Sequence, residues 1–470
     1  MIFVTGSQMR ALESDAIRQG ADPLLLMERA AEGIAQCLFE MDSSPCALFV
    51  AGTGNNGADA LAAARILVRQ GGKADVFVIG EMKTAQGKAN LAFLRYLGIP
   101  ILDTLPEDFS AYSILVDGLF GTGFHGEASP EAAAMIDRLN RSGLPILSID
   151  VPSGMNADTG ACAVCVHADA TITFHAPKTG LYLGAHPGYC GRRIIWDIGL
   201  KHDETGIEAY TPADWPGLMK KRPSDTHKAD CGRVLVLAGS RGKAGAAAMC
   251  ALGALKAGSG LVTVVTDEAL MPILQASVPN AMCETIEDAL AAVPVFDVLA
   301  AGCGFGTGPD RRSALTALLS HSRKAVLDAD ALTMLAQDPF PIPCPAVLTP
   351  HVGEAARLLC TDTSSVLEDL PGAAKRISER YGCTVLLKSA TSVITDGNRL
   401  SLNTAGSPAL SKGGSGDALC GILASTFFEC GDPFEAARIA ALRLGMAGEE
   451  GEKRYGVRGL LTCEMLNCLA

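Results

Sequence analysis

Short, unbroken apolar runs recur along this chain, and alanine-rich stretches of helical character separate them. The runs occupy residues 47–51, 75–79, 114–117 and 146–150, then 234–237, 261–265, 298–301, 325–328, 346–349 and 384–388. A strand that is apolar at every position is covered on both faces, and strands joined by covering helices form parallel sheets. The pattern therefore predicts an α/β fold. Glycine-rich loops follow several of the runs, where ligands bind in open α/β sheets. The chain, at 470 residues, is long for one domain. Its clearest break lies between about residues 201 and 222, where TPADWPG at 211–217 is turn-rich and KKRP at 220–223 is a short charged link. A fresh strand and glycine loop begin at residue 234. The expected organisation is two α/β domains, residues 1–210 and 220–470.

Charge narrows the partners. Acidic residues number 51 and basic ones 39, a formal net charge of −12. Without a basic stripe, neither nucleic acid nor a membrane surface is an expected partner. Small anions remain open, because backbone N–H groups hold phosphate without net positive charge. No stretch approaches the roughly 18 unbroken apolar residues of a membrane span, and residues 1–10 lack the pattern of an export signal. The 16 cysteines are scattered, and Cys250, Cys360 and Cys420 lie in apolar runs as buried small hydrophobes would. One CxxC, Cys162 to Cys165, has no second pair at zinc-ribbon spacing. The expectation is a reduced, cytoplasmic protein.

In the N-terminal half, GTGNNG at residues 52–57 follows an expected strand and precedes an expected helix at 58–70. It fits GxGxxG, whose glycines allow a tight turn and let N–H groups meet a pyrophosphate at the helix N-terminus. Glu81, past the next strand, is either a ribose ligand or a solvated loop residue. Asn55, Asn56 and Asp59 add oxygen-bearing side chains that a simple phosphate loop does not need; capping is their plainer role. Two more strand ends carry similar chemistry: Asp117 before GLFGTG, and Asp150 before VPSG. Oxygens of Asn56, Asp117 and Ser153 can converge on a hard cation, and a weakly hydrated monovalent ion suits so low a ligand charge. Gly121, Thr122 and Gly123 can form a second anion-binding turn.

The run LMERA at 26–30, then GTGNNGAD, DGLFGTG and SIDVPSG in that order, resembles the NAD(P)H-hydrate epimerase family over about residues 1–205. Ala58 and Ala60 stand where that family more often has glycine. The resemblance implies a Rossmann-like, three-layer fold that binds the hydrated nicotinamide dinucleotide, with K⁺ at Asn56, Asp117 and Ser153. It places substrate contacts at Asn55, Asn56, Gly57, Ala58 and Asp59, at Gly121, Thr122, Gly123, Phe124, His125, Gly126 and Glu127, and at Asp150. Epimerisation inverts the ring carbon bearing the added hydroxyl and needs acid–base help. Asp150 is the expected catalytic group. Lys178 is either its electrostatic support or a surface loop lysine.

The C-terminal half turns on GGSGD at residues 413–417, which opens an apolar helix. N–H groups from Gly414 to Gly416 would form an anion hole, and Asp417 beside them could take a proton from a substrate hydroxyl. This resembles the ribokinase-like superfamily. With LDADAL, LTPHVGE and GGSGDAL in order, the half from about residue 223 is similar to the ADP-dependent NAD(P)H-hydrate dehydratases. The resemblance puts Ala246, Gly306, His351 and Asp417 on the hydrate, with Ala247 and Gly304 as alternatives to the first two. It puts Lys388, Ser389, Ala390, Thr391, Ser392 and Gly416 on ADP or AMP. His351 reads equally as a helix cap.

The two resemblances concern one damaged metabolite. Together they imply a bifunctional isomerase and lyase: an epimerase that interconverts the R and S hydrates of NADH or NADPH, then a dehydratase that restores the reduced cofactor from the S form with ADP and Mg²⁺, giving AMP and phosphate. The implied partners are small molecules, and the family allows a homo-oligomer. The competing reading is a ribokinase-like small-molecule kinase, of hydroxymethylpyrimidine or thiazole type, with a non-catalytic N-terminal nucleotide-binding module.

Overall fold

The computed structural model describes residues 1–201, 205–219 and 221–470. Part of the expected linker, residues 202–204 and 220, lies outside the described residues. The chain divides into two compact units, one of Ile2–Ile207 and one of Glu208–Ala470 with Met1.

The first unit is built on strands β1 (Cys46–Ala51), β2 (Lys73–Val78), β3 (Ile101–Leu102), β4 (Ile114–Gly118), β5 (Ile146–Ile149), β6 (Ala170–Phe174) and β7 (Arg192–Trp196). They form one sheet in the order β3-β2-β1-β4-β5-β6-β7, parallel throughout. The order reverses between β1 and β4, so the carboxyl ends of those two strands open the crevice where ligands bind in such sheets. Both faces of β1 are covered. Ala47, Phe49 and Ala51 join a core with helices α2 (Pro23–Met41) and α3 (Asn55–Arg69), while Leu48 and Val50 join a second core with Met135, Ile136 and Leu139. That double burial is why the strand reads as a continuous apolar run.

Helix α3 begins three residues before its expected start, at Asn55, with Gly54 as its N-cap and no side chain capping it. Asn55, Asn56 and Asp59 are thus inside the helix, and the capping role does not apply to them. The glycines are there for close approach. A Cβ on Gly52 would lie 1.9 Å from the Leu119 carbonyl oxygen, and one on Gly57 1.9 Å from that of Gly52. The alanines at 58 and 60 are accommodated by packing. Both are fully buried, and Gly118 leaves the space that Ala60 fills, since a Cβ there would meet the Ala60 methyl at 2.8 Å.

The second unit contains strands β8 (Arg233–Leu237), β9 (Leu261–Thr266), β10 (Met282–Thr285), β11 (Val298–Ala301), β12 (Ala325–Leu327), β13 (Ala346–Leu348), β14 (Thr384–Leu387), β15 (Ser392–Thr395) and β16 (Leu400–Asn403). They run β16-β15-β14-β13-β12-β11-β8-β9-β10. The expectation of parallel pairing holds from β14 to β10, but β15 and β16 add as antiparallel strands. Helices α4 (Ala244–Ala257) and α6 (Ser415–Cys430) pack closely over this sheet. A Cβ on Gly421 would lie 1.9 Å from the Cys250 carbonyl oxygen, which fixes small residues along the seam. Helix α5 (Val352–Leu359) ends at Cys360, which takes a left-handed conformation and is exposed, not buried as its apolar surroundings suggested. Cys250 and Cys420 are buried as expected. No helix among the described residues is long and apolar enough to cross a membrane.

Candidate active sites

At the switch point of the first unit, the loop after β4 meets the loop after β5. Asp117, fully buried at the end of β4, accepts hydrogen bonds from the Ser148 hydroxyl at 2.8 Å, the Ser153 N–H at 2.8 Å and the Ser153 hydroxyl. Burial pushes its pKa up, against the pull of those donors. The Phe120 N–H donates to Ser153 Oγ at 2.8 Å, and Asn56 Nδ2 donates to the Phe120 carbonyl at 2.9 Å. That leaves Asn56 Oδ1 directed at Gly121, where a Cβ would lie 3.2 Å from it. The structure therefore brings Asn56, Asp117 and Ser153 together, and the donor set they present is all oxygen.

Asp150 follows β5 with a positive φ of 66° and is 9 % exposed. Its carboxylate meets Lys178 Nζ at 2.9 Å, takes the Thr173 hydroxyl at 3.2 Å, and receives the Thr122 N–H at 3.4 Å. Lys178 is 1 % exposed and also donates to the Phe174 carbonyl at 2.8 Å. It is a buried counter-ion, not a surface loop lysine. A non-glycine residue in the left-handed region stores strain that the surrounding contacts must hold.

A neighbouring cavity of about 190 Å³ is lined by Glu13, Asn55 and Asp59 among apolar side chains from α2. Burial, then Asp150 and Glu13, hold the Asp59 carboxyl well above the usual carboxylate range. Glu13, on helix α1 (Gly6–Arg18), is raised by burial and by Asp150, against Lys178 and Arg10. Sequence reasoning missed Glu13: it is one acid on an amphipathic helix, far in sequence from the glycine turns. Of the other expected contacts, Gly57 and Ala58 are buried, and Ala58 turns its methyl into the core. Gly121, Thr122 and Phe124 are partly exposed, while Gly123, His125, Gly126 and Glu127 are exposed on the same loop. Glu81 is an exposed residue of the loop after β2.

The second site gathers at the N-terminus of α6. Gly414 caps that helix with φ 95°, which favours glycine. The Ser415 N–H bonds back to the Lys412 carbonyl at 3.3 Å. The N–H groups of Gly416 and Asp417 fall in the first helical turn, which has no intrahelical acceptors. A Cβ on Gly416 would lie 3.3 Å from Lys388 Nζ and 3.7 Å from Asp328 Oδ2. Lys388 Nζ donates to Asp328 Oδ1 at 2.7 Å, and Asp328 is 2 % exposed. Burial opposes the charge on Lys388, but Asp328 and Glu354 outweigh it and raise its pKa. Burial first, and then Asp328, raise the pKa of Asp417. A carboxylate held that way is a stronger base than a solvated one.

His351 caps α5: its Nδ1 accepts the N–H groups of Gly353 at 3.0 Å and Glu354 at 3.3 Å. Its side chain stays 56 % exposed, so capping leaves a face free for a ligand. Ala246 is partly exposed while Ala247 is fully buried, so Ala246 can offer a contact and Ala247 cannot. Gly304 and Gly306 are both partly exposed, and the Gly306 N–H is taken by Asp330 at 2.8 Å. After β14, Ser389 is partly exposed, Ala390 exposed and Thr391 6 % exposed, and Ser392 begins β15. Asp328 and Glu354 were absent from the expected ligands, although LDADAL and LTPHVGE contain them. A group of Cys303, Asp328 and Asp417 lies within 4.8 Å. Its mixed sulfur and oxygen character suits a hard cation poorly, so Mg²⁺ there would be held chiefly through nucleotide phosphates and water.

Residues 234–470 match the family described as NAD(P)H-hydrate dehydratase, and residues 24–180 match that described as YjeF-related protein N-terminus. The chain is 33% identical over 479 residues to the bifunctional NAD(P)H-hydrate repair enzyme Nnr of Coxiella burnetii, covering 99% of this chain and 98% of that relative. It is 32% identical to the Escherichia coli protein of the same description, covering 94% and 88%. Among solved structures, the ADP/ATP-dependent NAD(P)H-hydrate dehydratase of Bacillus subtilis, co-crystallised with ATP and Mg²⁺, is 26% identical with a TM-score of 0.52, covering 56% of this chain and 96% of that one. A ribokinase-like superfamily protein of Enterococcus faecalis is 27% identical with a TM-score of 0.51, covering 57% and 96%.

Proposed function

The chain belongs to the family of bifunctional NAD(P)H-hydrate repair enzymes, and from that premise we propose how its two units divide the work. It is an epimerase and ADP-dependent dehydratase of hydrated NADH and NADPH. The first unit interconverts the R and S hydrates, and the second dehydrates the S form. The observation that carries this division is that each unit holds its own lysine paired to a buried aspartate beside a glycine turn at the carboxyl end of a parallel sheet: Asp150 with Lys178, and Asp328 with Lys388.

In the first unit Asp150 exchanges a proton with the hydroxyl on the epimerising carbon, and Lys178 holds its charge. Asp59, whose carboxyl burial holds well above the usual carboxylate range, is the complementary proton donor at the cavity wall. Asn55 and the loop from Gly121 to Glu127 bind the rest of the dinucleotide. K⁺ fits the oxygen set of Asn56, Asp117 and Ser153, and it would supply positive charge next to the anion-binding turn.

In the second unit Asp417 takes the proton from the hydrate hydroxyl. The terminal phosphoryl group of ADP passes to that oxygen, steadied by the N–H groups at Gly416 and by Lys388, and AMP leaves. Phosphate then departs with a proton from the adjacent carbon, which restores the reduced nicotinamide. Ala246, Gly306 and His351 hold the hydrate; Ser389, Ala390, Thr391 and Ser392 flank the nucleotide. Bound Mg²⁺ would neutralise phosphate charge.

The test follows the products. With S hydrate, ADP and Mg²⁺, the protein releases AMP and inorganic phosphate in equal amounts to the reduced nicotinamide regained. A stable phosphorylated product without return of reduced nicotinamide would overturn this and favour the kinase reading.

A further inference from the structure

We infer that Cys162 and Cys165 form a reversible thiol–disulfide site on the loop that backs the Ser153 turn. The two sulfurs are 3.1 Å apart, so closing a disulfide of about 2.05 Å needs a shift of only about 1 Å. The pair is asymmetric in the way thiol exchange requires. Cys162 is partly exposed and is followed by exposed Ala163 and Val164, while Cys165 is 3 % exposed. The Cys165 thiol donates to the Cys162 sulfur, which lowers the pKa of Cys162. Cys162 is then the attacking thiolate and Cys165 the resolving thiol.

A second thiol cluster shows why exposure decides. Cys250, Cys303 and Cys420 also hold their sulfurs within 4.8 Å of one another, but all three are fully buried. No small disulfide can reach them without unfolding, so they remain packing groups.

The Cys162 loop is joined to the first site. The Val166 N–H donates to the Ser153 carbonyl at 2.9 Å. Gly154, at φ 95°, lies so close beneath the loop that a Cβ would meet the Val164 carbonyl oxygen at 2.1 Å. Asn140 pins the other side, donating to the Cys165 carbonyl at 2.9 Å and accepting the His167 N–H at 2.8 Å. The disulfide would thus be formed on a segment already stitched to the turn carrying Ser153.

The oxidant is a low-molecular-weight disulfide. The Cys162 thiolate attacks one of its sulfurs, forming a mixed disulfide and releasing one small thiolate. Cys165 loses its proton and attacks the Cys162 sulfur, expelling the second small thiolate. The protein gives up two electrons and two protons, and the small disulfide becomes two thiols.

The test uses the full chain equilibrated in oxidised glutathione, with remaining thiols alkylated and mapped by mass. The expected result is a peptide carrying Cys162 and Cys165 that is two hydrogens lighter and unalkylated, reversed by reductant. Cys165→Ser would trap one glutathione on Cys162, and Cys162→Ser would leave Cys165 free. Full alkylation of both in the wild type, or oxidation falling on Cys250, Cys303 and Cys420 instead, overturns the proposal. This mapping does not depend on the epimerase reading. An effect of the disulfide on the K⁺ dependence of epimerisation does, so the two can fail separately.

Discussion

The two units use the same pair of residue types, a lysine and an aspartate, differently. In the first, the carboxylate that follows β5 is itself the lysine's partner: Asp150 and Lys178 touch at 2.9 Å. In the second, Lys388 pairs with Asp328 at 2.7 Å, and Asp417 stands beside the pair with its pKa raised by burial and by Asp328. A carboxylate whose pKa is raised by burial is a stronger base than a solvated one. In the roles proposed above, Asp150 serves a reaction that runs both ways and Asp417 one driven forward by phosphoryl transfer.

The comparison breaks most visibly at Asp417. Asp417→Asn is expected to lower dehydration by about 10²- to 10⁴-fold, the usual worth of a general base, while epimerisation proceeds unchanged. Because its folded pKa is raised, wild-type dehydration should fall as pH drops through that raised value, at a pH higher than an ordinary carboxylate would give. Rates of reduced-nicotinamide return across pH check both points.

Next comes the supporting pair. Lys388→Met leaves Asp328 buried without its partner and is expected to cost about 3–5 kcal/mol of stability in the second unit. Asp328→Asn with Lys388→Met should recover most of that stability and none of the dehydratase activity. Denaturant unfolding of both variants, beside their rates, separates the structural role from the chemical one.

Asp59 sharpens the contrast in the first unit. Its folded pKa lies well above its unfolded value, so its contribution to stability is full below the unfolded pKa, near 4, and is lost as pH rises through the folded pKa. Asp59→Asn should therefore gain stability relative to wild type as pH rises through that window, while slowing epimerisation. Melting temperatures over the acid-to-neutral range would show it. A stability difference constant with pH would contradict the assignment.

The smallest effect concerns the alanines in the first glycine turn. Ala58→Gly should cost about 1 kcal/mol through helix propensity and leave the epimerase rate unchanged, because the Ala58 methyl faces the core and not the cavity.

Much of the fold is legible in the sequence. The apolar runs marked strands because parallel strands are buried on both faces, and the glycine motifs marked the loops where backbones nearly touch. The strands Ala170–Phe174 and Arg192–Trp196 escaped notice. The first alternates threonine with apolar residues, and the second is an edge strand with two arginines. The antiparallel addition of Ser392–Thr395 and Leu400–Asn403 was equally hidden, since strand direction is set by tertiary packing. At the sites, the motif residues lie at strand ends and helix N-termini, but their pairings do not show in the sequence. Lys178 lies 28 residues from Asp150 and Lys388 60 from Asp328 (178 − 150 and 388 − 328). Only the folded sheet brings such partners together, and Glu13 reaches the cavity from a separate helix, Gly6–Arg18.

The central claim is that one chain carries two separable activities, and one experiment addresses it directly. A mixture of both hydrate epimers is given K⁺, Mg²⁺ and ADP, and return of reduced-nicotinamide absorbance is followed in wild type and in Asp150→Ala. The wild type should recover the whole mixture. Asp150→Ala should recover the S fraction at the wild-type rate, then continue only as fast as the hydrates epimerise without enzyme. Complete recovery by Asp150→Ala at the wild-type rate would contradict the account.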